Sequence, residues 1–570
     1  MLAHQTTVSK SFTRETFSSA ETVTSSTVVQ SLLPPRPIDP AMMRIGDLHL
    51  CADDATLRAY AVSRAAQCRS LAQQVSDSAA ALSACAAVAH QHGIEPPTCG
   101  DTDADTDDLA PVVARLGCER WWRRRLRVAQ AHRLESVWSA CGVVRSDRDE
   151  YISAGGLRLQ KFHRERQQRL MERLVAISES GDVVPLAEIA ERTVANPRIR
   201  RIEMMTRVSG LERWAIAQGM VVDFYTVTAP SAFHRWTTTR SGIKRINGRF
   251  DPSTTPRDAQ AWLRRRFARV GAALHRRGIQ VFGMRVCEPH GSGTPHWHLL
   301  LWCRPEHRST VRAIYRHYYL QDDDGSQTRE PGAKKHRVKI KPVHTTPDPD
   351  TGRPRSAVGY LAKYVGKNVD GTSLPESESH SVERVRAWAS TWRFRQFQMI
   401  GVRNSSVWRE FRRLKECSDD LMESARHCAS AGDYENFLAI VLAYDDGKFR
   451  EKIKILRNES RTTVYGDRAP GRVVGVVADN GSKAISRTRE WKIMTIDDAA
   501  EFLYEIISRG GDAEFSSTNT GIEQPPDPIP APVLIPDHLL STAGAGHQFD
   551  MIAKAIRAQA GVAGPWTSDK

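Results

Sequence analysis

Two apolar runs, IQVFGMRVCE (279–288) and HWHLLLWC (296–303), flank the turn-rich PHGSGTP, and this constrains the fold more than any other feature of the chain. Each run has the length of one strand, and the Gly- and Pro-bearing connection predicts an antiparallel hairpin. Successive side chains of a strand point to opposite faces, so His296 and His298 share one face and Trp297 takes the other. At this point the imidazole pair has two readings. The histidines are packed and hydrogen-bonded, or they hold a divalent metal, which neutral imidazole suits.

The flanking periodicity says what the hairpin joins. MVVDFYTVTAP (220–230) is β-branched and aromatic, ends at Pro230, and reads as a strand, as does HRVKIKPVH (336–344). AWLRRRFARVGAALHRRG (261–278) puts Leu263, Phe267, Val270 and Leu274 on one stripe and stops at Gly278, which predicts an amphipathic helix. VRAIYRHYYL (311–320) and SAVGYLAKYVGKN (356–368) also read as helices. The order β, α, β, β, α, β, α predicts an α+β fold, an antiparallel sheet backed by helices.

Around this block, residues 1–45 read as a disordered leader and 46–210 as a mostly helical region. The sheet-bearing domain is expected over 215–415, a helical or mixed region over 416–511, and a Pro-rich flexible tail over 512–570. Within the helical region, DTDADTDDLAP (101–111) reads as an acidic linker that lacks the glycine and terminal glutamate of an EF-hand loop. CERWWRRRLRVAQAHRLESVW (118–138) and KFHRERQQRLMERLVAI (161–177) read as helices, and the pattern beyond 380 is mostly helical to about 445.

The formal charge of +15 makes a polyanionic partner the natural expectation, with DNA or RNA the leading case. No run of apolar residues is long enough to span a bilayer, so no membrane association is expected, and the first residues lack the apolar core of a secretory signal. The 10 cysteines form no C-x-x-C pair, which suits reduced thiols in a cytosolic compartment and does not indicate a zinc finger.

The chemistry lies in three elements. Two histidines and one carboxylate leave coordination positions open for substrate oxygens. A hairpin brings Glu288 within reach of His296 and His298, with His290 as the competing third ligand. In YLAKYVGK (360–367), Tyr360 and Tyr364 are i, i+4 neighbours on one helix face, each followed three residues later by a lysine, Lys363 and Lys367. Half-buried tyrosines beside snorkelling lysines are one reading. The chemical reading is a tyrosine hydroxyl that attacks a phosphodiester, aided by a metal and a nearby cation. Thr226 and Thr228 share a face of the third element, FYTVTAP, where alternating threonines are ordinary for a strand.

Read together, these residues resemble a known family. HWH matches the His-hydrophobic-His signature of HUH endonucleases, and the tyrosine helix has their Y-x-x-K-Y-x-x-K form. FYTVTAPSAFHR, EPHGSGTPHWHLLLW, GYLAKYVGKNVDG and AWASTWRFRQFQ resemble, in order, the replication gene A proteins of temperate tailed bacteriophages, and CERWWRRRLR resembles their N-terminal region. The resemblance covers roughly residues 110–415. It implies paired nucleophiles at Tyr360 and Tyr364, accompanied by Lys363 and Lys367. It also implies a divalent metal, Mg2+ or Mn2+, on His296, His298 and Glu288. The implied activity is nicking and rejoining of one strand at a replication origin through a 5′-phosphotyrosine, leaving a 3′ hydroxyl for rolling-circle synthesis. The implied partners are origin DNA, single-stranded at the nick, and the host replicative helicase and polymerase, in the bacterial cytoplasm. The Gly291-Ser292-Gly293 turn departs from the more polar or acidic turn expected there. An HUH transposase or relaxase, a basic DNA-binding protein without catalysis, and a small-molecule metallohydrolase are the competing readings.

Overall fold

The computed structural model describes residues 40–98, 109–239, 241–345, 356–369, 379–402 and 405–508. Most of the expected leader and acidic linker, and all of the expected tail, lie outside the described residues. The fold is α+β, with a central five-stranded antiparallel sheet. Its strands are β1 (Val221–Thr228), β2 (Phe282–Pro289), β3 (Pro295–Cys303), β4 (Val338–Val343) and β5 (Phe397–Ile400), in the spatial order β4-β1-β3-β2-β5.

Register decides which side chains share a face. Glu288 stands opposite His296 across the β2–β3 hairpin, while Thr226 and Thr228 of β1 stand opposite His298 and His296. Residues directly opposite in an antiparallel pair project to the same side. One face therefore carries Glu288, His296, His298, Thr226 and Phe224. The other carries Tyr225, Arg285, Trp297 and Leu299.

Helices cover both faces. On the histidine side, α2 (Pro197–Ala217) and α5 (Val358–Val369) join a core that includes Trp214, Phe282, Trp302, Leu361 and Val365. On the opposite side, α3 (Pro256–Arg276), α4 (Arg308–Tyr319) and α6 (Ser379–Trp392) close over Trp297, Leu299 and Tyr225. Helix α3 begins earlier than its apolar stripe suggests. Thr255 and Asp258 form a capping box there, with Pro256 in the first turn.

Three stretches differ from the sequence reading. The helix expected through 177 stops at Glu172, and Leu174–Ser178 becomes the middle strand of a small sheet, between Val183–Pro185 and Trp491–Thr495. The β-branched pattern of LVAIS finds its outer partner only near the far end of the described chain. FQMI, expected in a helical stretch, is the edge strand β5, paired with β2. From Leu442 to Thr495 the chain is largely β, including a three-stranded sheet of Ile453–Arg457, Val473–Ala478 and Lys483–Ile485. These C-terminal elements share the histidine-side core, since Leu442, Ile453 and Val476 pack in the same cluster as Trp302.

Candidate functional site

The site grows out of the β2–β3 register. Nε2 of His296 lies 3.1 Å from Nε2 of His298, and a Glu288 carboxylate oxygen lies 3.7 Å from the latter. The ligand atoms of these three residues all fall within 4.8 Å of one another. Thr226 on the neighbouring strand shares a 3.1 Å hydrogen bond with Nδ1 of His298 and fixes that ring's orientation. His290 packs against His296 with 4.1 Å between ring centroids and the planes tilted by 31°, and His234 packs edge-on against His290.

The electrostatics suit a cation. Poor solvation holds the His298 pKa down at about 4, with Lys367 adding to the shift, and holds His296 well below the ordinary imidazole range. Both rings are neutral at physiological pH, the state in which imidazole ligates metal. Burial raises the Glu288 pKa against the opposing pull of Lys367, Asn368 and Lys363. Nδ1 of His296 and Nε2 of His290 are buried without a hydrogen-bond partner. Two neutral imidazoles and a buried carboxylate converging at these distances form a donor set that fits a divalent cation.

The tyrosine helix lies over this cluster. Tyr364 stacks on His298 at 4.2 Å between centroids and 27° between planes, while Phe224 contacts both Tyr364 and Tyr360. Tyr360, one turn earlier, is 49% exposed. Burial raises the Tyr364 pKa and Glu288 adds to this, with Lys367 pulling the other way. Lys367 sits 5.2 Å from the centroid of the Tyr151 ring. Burial works against its charge, but the Tyr151 hydroxyl, Glu288 and Glu150 outweigh this and raise its pKa. Lys363 is exposed at the rim.

Two supporting residues were not singled out from the sequence. Asn368 donates to Glu288 at 2.5 Å and is itself bonded by Gln396 at 3.2 Å, so the tyrosine helix also restrains the carboxylate. Its spacing, four residues beyond Tyr364, could have suggested a shared helix face. Tyr151 comes from far upstream, and nothing local marks it. The segment carrying it also accounts for the Gly291-Ser292-Gly293 turn. A Cβ on Gly291 would meet the Ser146 Cβ at 2.5 Å, and Gly293 has φ +81 with the Tyr151 carbonyl 2.9 Å from an added Cβ. A polar or acidic side chain at either glycine would collide with this covering segment.

The model of the family described as bacteriophage replication gene A protein matches residues 52–372, more than half of the chain. That span begins earlier than the resemblance read from the sequence and stops before its C-terminal end. The replication gene A protein of Escherichia phage 186 is 39% identical over 318 residues, which cover 54% of this chain and 44% of that protein. The probable replication protein P12 of Pseudoalteromonas phage PM2 is 34% identical over 394 residues, covering 66% and 58%. The replication gene A protein of Escherichia phage P2 is 31% identical over 405 residues, covering 67% and 52%. The chain thus spans about half the length of the curated relatives it matches. No solved structure matches it. Among the described residues, no helix is long and apolar enough to cross a membrane.

Proposed function

Because the chain belongs to the bacteriophage replication gene A protein family, we propose that it initiates phage replication as a site-specific, metal-dependent endonuclease that nicks and rejoins one DNA strand. The observation that carries this reading is the stacking of Tyr364 directly on His298 of the Glu288–His296–His298 cluster. A phenol stands there beside a donor set for a divalent cation. The relatives' names speak for replication, and several are named probable replication endonucleases.

In the proposed reaction a tyrosine oxygen attacks the scissile phosphorus. A Tyr–O–P bond forms, the P–O3′ bond breaks, the phenol proton leaves to solvent, and the departing oxygen takes up a proton as a 3′ hydroxyl. Glu288, His296 and His298 would hold a divalent cation, which would supply Lewis-acid polarisation of the scissile phosphate. Lys367 places a held positive charge where negative charge develops. Bond count is conserved, so the reverse attack by a 3′ hydroxyl rejoins the strand without an external energy source. Tyr360 lies one helical turn away, about 6 Å along the axis, where it can open a second phosphodiester while Tyr364 holds the first. The 3′ hydroxyl then primes rolling-circle synthesis, with the host helicase and polymerase as partners in the bacterial cytoplasm.

The test uses single-stranded oligonucleotides tiled across the replicon that encodes the chain, incubated with Mg2+ or Mn2+. A denaturation-resistant protein–DNA adduct on one oligonucleotide is expected, and the Tyr360→Phe/Tyr364→Phe double variant should form none. An adduct that persists in the double variant overturns the assignment.

A further inference from the structure

The face of the sheet turned away from the histidines carries a second concentration of charge. A cavity of about 1020 Å3 opens between α1 (Glu119–Ala140), α3 and the end of α6. Arg124 and Arg125 of α1 line it, with Arg257, Arg264 and Arg265 of α3 opposite and Arg393 and Arg395 at its end. All seven are exposed, and among the described residues none has a carboxylate partner. Asp258, the carboxylate in the lining, is engaged in capping α3 through the Thr255 amide and hydroxyl.

So many guanidinium groups in one cleft repel one another, and among the described residues Asp258 is the one carboxylate in the lining. The pKa of Arg393 is lowered by burial and then by Arg124, Arg125 and Arg257. The floor of the cleft adds an independent observation. Arg285 is 4% exposed, lies 4.0 Å above the Trp297 ring and donates to the Arg395 carbonyl at 3.2 Å. Its Nε is nevertheless buried without a partner.

The shape of the cleft indicates a polymer rather than a single anion. From Arg257 to Arg264 the arginines of α3 extend about 10 Å, the axial length of roughly three nucleotides. A second cavity, of about 710 Å3, shares Phe267, Phe394, Arg395 and Gln398 with the first and continues along the edge strand β5 to Arg200 and Arg207. Phe267, Phe394 and Phe397 are half-buried along this course. Basic groups that track a backbone, alternating with aromatic rings on which bases stack, are what a single strand of nucleic acid requires.

We propose that this arginine trough, which starts on the sheet face opposite the tyrosine helix and rounds the edge strand β5, binds single-stranded DNA outside the nicking site. Tyr364 and Glu288 face one side of the sheet, and Arg285, three residues before Glu288, faces the other. One chain could then hold a strand at the reacting centre and a second length of strand behind it. The inference rests on the reading of the chain as a DNA-handling protein but not on the nicking chemistry.

The test is run in chelator, so that binding is read whether or not the chain cuts DNA. Oligo-dT of about 16 nucleotides is titrated by fluorescence anisotropy from about 50 to about 200 mM salt. The Arg257→Gln/Arg264→Gln/Arg393→Gln variant should bind at least tenfold more weakly, with a log–log salt slope shallower by about 2. Lysine at the same three positions should restore the slope. Removing the same charge elsewhere, at Arg461, Arg468 and Lys483, should leave affinity nearly unchanged. Wild-type affinity in the glutamine variant, or an equal loss in the distant control, overturns the proposal. Equal or tighter binding of a duplex of the same length overturns the single-strand assignment.

Discussion

Tyr364 lies flat against His298, with 4.2 Å between the ring centroids, while Tyr360 projects from the same helix face half-exposed. Two phenols in one motif thus occupy different environments. Tyr364 is poorly solvated and close to Glu288, both of which raise its pKa. In the proposed reaction Tyr364 would depend on the cluster for activation, while Tyr360 is the phenol open to solvent and to a second strand.

This asymmetry separates the single variants. Tyr364→Phe should lower adduct formation on a short substrate by on the order of 10^3-fold, since the phenol nearest the cluster is lost. Tyr360→Phe should retain nicking within about tenfold but lose transfer of the held strand to a second one. Single-turnover adduct formation and a strand-transfer assay with two labelled oligonucleotides read the two effects. Equal losses in both assays for both variants would show the tyrosines to be interchangeable.

Asn368 sits behind the cluster and donates to Glu288. A residue that orients a ligating carboxylate without touching the metal typically accounts for about 10–100-fold in affinity. Asn368→Ala should therefore weaken Mn2+ binding by about that factor, whereas Asn368→Gln, which keeps an amide donor, should lose less. Titration calorimetry on the DNA-free protein measures both. Mn2+ binding that also survives His296→Ala/His298→Ala would place the cation elsewhere.

Trp297 shows what was legible in the sequence and what was not. Its alternation with His296 and His298 predicted the opposite face, and it is fully buried there. The strand order of the hairpin, the α+β class and the tyrosine helix likewise follow from local periodicity. The contacts that fix the Trp297 ring were not legible. Gln260 accepts from its indole N–H at 2.9 Å, and Arg285 stacks on its face. Those partners depend on tertiary register, as do Thr226 on His298, Tyr151 beside Lys367 and the pairing of Val175 with Met494. No local window of sequence contains them.

Trp297→Ala should consequently cost about 3–5 kcal/mol of unfolding free energy, from the cavity and from the lost Arg285 stacking and Gln260 hydrogen bond. Trp297→Phe should recover part of this, because the ring volume is largely kept while the indole donor is lost. Urea unfolding followed by circular dichroism gives the comparison. A cost below about 1 kcal/mol for the alanine variant would mean that the sheet does not depend on this anchor.

The last prediction concerns pH. Glu135 of α1 is 3% exposed and accepts from the Ser153 amide at 2.8 Å and the Ser153 hydroxyl at 2.7 Å. Burial raises its pKa to about 7, against the opposing Ser153 bonds and with Asp149 adding to the rise. In the unfolded chain its pKa is about 4.5. Below that value the group is protonated in both states and the full contribution to stability is present. As pH climbs from 4.5 to 7 the unfolded chain gives up its proton first, so stability falls by about 3 kcal/mol and then levels off. Glu135→Gln imitates the protonated side chain, accepting from the amide and donating to the hydroxyl. The variant should lose this part of the pH dependence and exceed the wild type above pH 7. Urea midpoints collected across that range decide it. Parallel curves for the two proteins would show that Glu135 keeps an ordinary pKa in the folded chain.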